Sequence, residues 1–96
     1  DRDVAFELFK KAAKLGESRG QYMVGYIYQS GMLHPDEESD YERGYLWSAI
    51  ALMNGFEKAR SVMIKASLRM SDDTEAYLIK LAEACIASSY RECEIS

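Results

Sequence analysis

Few side chains in this sequence can do covalent or metal chemistry, and their spacing does not gather them into a site. His34 is the single histidine and stands beside the single proline, Pro35. A zinc site asks for several Cys, His or carboxylate ligands, and a Cys–His nucleophilic pair would need Cys85 or Cys93 to reach His34 across half the chain. His34 therefore reads as a surface residue of a loop. The acidic run of Asp36, Glu37, Glu38 and Asp40 offers oxygens to a hard cation, but the alternating Asp spacing and closing glycine of a calcium loop are missing. A solvated loop and a helix cap account for it better. Ser61 and Lys65 stand four apart, which breaks the Ser-x-x-Lys nucleophile pattern. No glycine-rich phosphate-binding fingerprint occurs. The residues thus predict no catalytic centre, no metal and no cofactor.

Cys85 and Cys93 leave two readings open. On one continuous helix they would stand about 12 Å apart along the axis, beyond disulfide reach. A turn back after roughly Ser89 would bring them together. Without it, Cys85 lies on an apolar stripe as a small buried hydrophobe and Cys93 is exposed near a frayed end. The redox compartment stays undetermined.

Bulk composition bounds the classes that remain. The chain has 96 residues, 48% hydrophobic and 29% charged, as suits one small globular domain and not a disordered segment. Its net charge is −4 and its pI near 5.0, which speaks against nucleic acid, since binding there rests on clustered Lys and Arg. No apolar run is long enough for membrane insertion. The chain opens at Asp1 without a signal-like segment, as a processed protein or an excised domain would.

The elements that would position any site follow from an internal repeat. Residues 5–16, AFELFKKAAKLG, align with residues 44–55, GYLWSAIALMNG, at an offset of 39 that also pairs Gly20 with Ala59. Phe6 falls on Tyr45, Leu8 on Trp47 and Ala12 on Ala51. Gly16 and Gly55 end the first helix of each unit, because glycine enters the left-handed region without steric cost. Ser18 with Gln21, and Ser39 with Glu42, read as capping boxes, and Ser71 before Asp72 and Asp73 as an N-cap. Helices are predicted near 3–15, 18–30, 40–54, 57–70 and 72–89. The third carries a stripe of Gly44, Trp47, Ser48, Ala51 and Leu52, the fourth Ala59, Val62, Met63 and Ala66, and the fifth Leu78, Leu81, Ala82 and Cys85. The fold is all-α, a single domain with one unit over 3–38, a second over 39–70 and a closing helix over 71–90.

These patterns resemble the Sel1-like repeat family, a tetratricopeptide-related α-solenoid. Residues 5–16 look like its first helix, and Val24, Gly25, Tyr28 and Gly31 stand where its second helix carries Leu-Gly, Tyr and Gly. Tyr41-Glu42-Arg43-Gly44-Tyr45-Leu46-Trp47 is similar to the opening of a following repeat, with Gly44 where Ala is usual. The stretch from Trp47 to Cys85 resembles the last repeat and closing helix of bacterial members. The loop after Gly31 is longer than the family's, and Met53 replaces a polar residue. The resemblance implies two helix hairpins with a C-terminal cap, and a bacterial protein of periplasm or cytoplasm that recruits partners on a concave face without catalysis.

The function expected is therefore a protein-interaction scaffold. Equivalent positions on the first helices nominate Phe6, Lys10, Lys14, Tyr45 and Ser48 as contacts to a protein or peptide partner. Trp47, equivalent to Leu8, reads as a packing residue. Lys10, Lys11 and Lys14 form a basic face on which Glu7 can pair with Lys10 or Lys11. Two other roles compete: a structural or oligomerisation module, with Val4, Leu8 and Phe9 of the first helix open to self-association, and a regulatory module of an enzyme.

Overall fold

The computed structural model describes residues 1–32 and 39–95, and all the regular structure in those residues is helical. His34 and the acidic residues Asp36, Glu37 and Glu38 lie outside the described residues. In chain order the helices are α1 (Arg2–Lys14), α2 (Ser18–Ser30), α3 (Tyr41–Met53), α4 (Ala59–Ser67) and α5 (Asp72–Ala87). Helices α1 and α3 each have 13 residues, and both of their ends lie 39 positions apart.

Chain direction reverses after α1 and α3 at two glycines. Gly16 and Gly55 have φ of 88° and 93°, where a side chain would meet its own backbone. The caps differ from expectation at two helices. Glu17, not Ser18, caps α2, accepting hydrogen bonds from the Arg19 and Gly20 amides at 2.9 Å each. Asp40, not Ser39, caps α3, accepting from the Arg43 amide at 3.0 Å. In both places a carboxylate next to the serine takes the free amides, an arrangement that the helix dipole favours. Ser71 caps α5 as expected, accepting from the Thr74 amide at 3.1 Å.

Helix α4 is shorter than the sequence pattern suggests, because turns replace helix on both sides of it.

Cross-helix contacts give the directions. Phe6 meets Tyr28 edge to face at 5.2 Å, while a side chain at Gly20 would strike Ala12, so α1 and α2 run antiparallel. Helices α2 and α3 are antiparallel too, since Gly44 lies against Gln29, Gly25 against Ser48, and Gln21 against Asn54. The approach at Gly25 is tight enough that a Cβ there would lie 2.9 Å from the Ser48 backbone nitrogen and 3.0 Å from the Gly44 carbonyl oxygen. Glycine is what lets these two helices touch backbone to backbone.

The expected one-sided stripe on α3 is corrected: every residue from Gly44 to Ala51 is buried. The cause is its central place, with α2, α4 and α5 all packed against it. Helices α4 and α5 keep their predicted inner faces, with Ala59, Val62 and Ala66 buried on α4 and Leu78, Ala82 and Cys85 on α5.

Candidate partner-binding groove

Helix α1 presents Lys10 and Lys14 one turn apart, and α3 presents Arg43 and Trp47 at the same spacing beside them. Tyr28 reaches in from α2, and the five line a cavity of about 90 Å³ at the meeting of the three helices. A drug-sized ligand needs several hundred Å³, so this space is too small for one. Lys10 is half-buried, pairs with Glu7 at 3.0 Å and lies 4.9 Å over the Phe6 ring. Arg43 donates to Asp40 Oδ2 at 2.9 Å, and this hydrogen bond is the main cause that holds its pKa above the usual arginine value. Lys14 is exposed. Burial raises the Tyr28 pKa, against the lowering effect of Lys10 and Arg43, with Asp40 and Glu94 adding to the rise.

The remaining wall is the chain's own C-terminal segment. After α5 the backbone turns back through Ser89 and Tyr90, whose φ angles of 58° and 67° are unusual for residues with a side chain. The Ser88 hydroxyl accepts from the Arg91 and Glu92 amides at 3.1 and 2.9 Å. Cys93 thereby reaches Cys85, and the two form a disulfide with Cα atoms 4.6 Å apart. The reading of Cys93 as exposed is overturned, since it is 5% exposed and part of the core. Beyond it, Glu94 lines the groove beside Lys10, Lys14 and Arg43, and Ile95 packs against the core.

The five nominated contacts divide by depth. Lys10 and Lys14 meet in the groove. Phe6, Tyr45 and Ser48 lie beneath the surface at 5%, 3% and 0% exposure. The Tyr45 hydroxyl donates to Glu75 at 2.9 Å, tying α3 to α5. Among the described residues, Ser48 Oγ has no hydrogen-bond partner. Trp47 is both packed, at 8% exposure, and part of the groove wall. Its repeat partner Leu8 is 60% exposed, because among the described residues α1 packs chiefly on α2. Sequence reasoning nominated neither Arg43 nor Glu94 as a contact and read Tyr28 as a residue of the repeat pattern; the three belong to different segments and meet only in the folded chain.

A second, apolar cleft lies on the other side of the first hairpin. Phe9 of α1 and Met23 and Ile27 of α2 line it, and Val4 and Leu8 stand exposed on α1. Among the described residues, no cluster of His, Cys, Asp and Glu could hold a metal, and no helix is long and apolar enough to cross a membrane. Comparison with protein-family models, curated proteins and solved structures finds no match to this chain.

Proposed function

We propose that this chain is a protein-interaction scaffold of the Sel1-like solenoid type, and that the groove between α1, α2 and α3 receives an extended segment of a partner protein. The observation that carries this is the groove itself, where three cations and the Tyr28 and Trp47 rings share one lining, which Cys93 and Glu94 of the chain's own C-terminal segment complete. Aromatic and arginine side chains are what partner-binding surfaces favour at their centres. The solenoid reading is supported by the matching bounds of α1 and α3 and by the glycine turns at Gly16 and Gly55. The Cys85–Cys93 bond favours an oxidising compartment such as the periplasm.

The test is site-specific photo-crosslinking in the native host, with the crosslinker at position 14 in the groove or at position 65 on α4. One defined partner captured from position 14 and absent from position 65 is the expected result. Equal capture from both would remove the groove as the binding site.

The exposed Val4 and Leu8 beside the apolar cleft favour a second reading, self-association through the first hairpin. A dimer in solution that Leu8→Glu converts to monomer would establish it.

A further inference from the structure

The segment after α5 is held at two kinds of anchor that differ in how they can be undone. Tyr90 is held from outside its own segment: its ring lies against Gly16, and its hydroxyl accepts from Asn54 Nδ2 at 3.0 Å. Past Tyr90, the ties to the rest of the fold among the described residues include the Cys85–Cys93 bond and the packing of Cys93 and Ile95 on the core. The hydrogen bonds of Arg91 and Glu92 to Ser88 are local to the turn. Two residues in the left-handed region, Ser89 and Tyr90, make that turn costly to keep.

What this segment brings to the groove wall has a definite chemistry. Glu94 stands with its charge near Arg43 and Tyr28, in a wall that also holds Lys10 and Lys14. Ile95 supplies an apolar neighbour that packs on the core. The chain as a whole carries net charge −4, so a cationic groove is a local feature that selects for negative charge in what enters it.

Resting on the scaffold reading above, we propose that residues 93–95 close one side of the partner groove, that the partner segment is an acidic peptide pairing a carboxylate with an apolar side chain, and that reduction of Cys85–Cys93 opens the groove to it. The reductant is a dithiol. Its thiolate attacks Sγ of Cys93, the less buried of the two residues, and the S–S bond breaks with Cys85 leaving as thiolate, which takes up a proton. The second thiol of the reductant then attacks the mixed disulfide, closes the reductant's own disulfide and releases Cys93 as a thiol. Two electrons and two protons reach the protein. Tyr90 keeps its anchors, while residues 91–95 lose their covalent tie.

The test measures binding of fluorescein-labelled peptides by polarisation to the oxidised chain, the reduced chain and Cys93→Ala. The probes are the hexapeptide of residues 91–96 carrying Cys93→Ala, and the same peptide with Glu92→Lys and Glu94→Lys. Far-UV circular dichroism checks that the helices survive reduction. The expected result is binding of the acidic probe about tenfold tighter to the reduced chain and to Cys93→Ala than to the oxidised chain, weakened by Lys14→Glu and not matched by the lysine probe. Equal acidic-probe affinity in both redox states would overturn the gating while leaving the scaffold reading intact. Preference for the lysine probe would overturn the acidic partner, and binding of neither probe to the reduced, helical chain would overturn the proposal as a whole.

Discussion

Asn54 donates its side-chain amide to Gln21 Oε1 at 2.9 Å, across 33 residues of sequence. Gln21 is fully buried and donates in turn to the Ala13 carbonyl at 3.1 Å, while the same Asn54 nitrogen donates to the Tyr90 hydroxyl. One polar chain thus ties the ends of α1 and α3 to the start of α2 and to the C-terminal turn. Such a network is strong when complete and costly when one member is lost.

Asn54→Ala is accordingly expected to lower stability by about 1–3 kcal/mol, because it leaves the buried Gln21 oxygen without its donor. Asn54 is itself exposed, so the change removes little packing. Urea unfolding measures this directly. A midpoint equal to that of the parent would mean that the Gln21 oxygen is satisfied by other means.

The contact of α2 with α3 makes an asymmetric prediction. Gly25→Ala should destabilise by about 1–3 kcal/mol even though alanine is the better helix former, since overpacking outweighs propensity. Ser48→Ala should be neutral or stabilising by up to about 1 kcal/mol, because it removes a buried hydroxyl that has no partner among the described residues. The double variant should not recover the parent's stability, since the Ser48 amide and the Gly44 carbonyl still block the new methyl group. Full rescue in thermal melts would show that the Ser48 hydroxyl alone makes the contact.

Alkaline pH should loosen the joint between α3 and α5. Burial, and then the hydrogen bond to Glu75, push the Tyr45 pKa up to about 12 from its ordinary 10.0. A pKa raised on folding means that the folded state holds the proton longer. The stabilisation is therefore complete below pH 10 and is lost as pH rises toward 12. In Tyr45→Phe this contribution is missing, so the stability gap between the two proteins should narrow steadily above pH 10. A constant gap across that range would contradict it.

Much of the helical layout was legible locally. Gly16 and Gly55 marked the turns, and the inner faces of α4 and α5 followed their apolar spacing. The misread caps show a limit of pattern reading, since a carboxylate beside a serine competes for the same free amides and won at Glu17 and Asp40. Complete burial of α3 was not legible, because it depends on which helices surround α3 and not on α3's own sequence. The same holds for the groove: Lys10 and Lys14 follow from helical spacing, whereas Arg43, Tyr28 and Glu94 are brought there by the packing of α2 and α3 and by the turn at Ser89 and Tyr90. Nothing local announces that two non-glycine residues will adopt positive φ.

The account centres on the groove beside Trp47 and on the segment that walls it. Trp47 is the single tryptophan, so its fluorescence reports on that place alone. The most direct measurement is acrylamide quenching of Trp47 before and after disulfide reduction, with helicity followed in parallel. Faster quenching and a red-shifted emission in the reduced chain, at unchanged helicity, are the predicted result. Identical quenching in both states would mean that residues 93–95 do not cover the groove in the way described, and the account of how a partner enters it would fail.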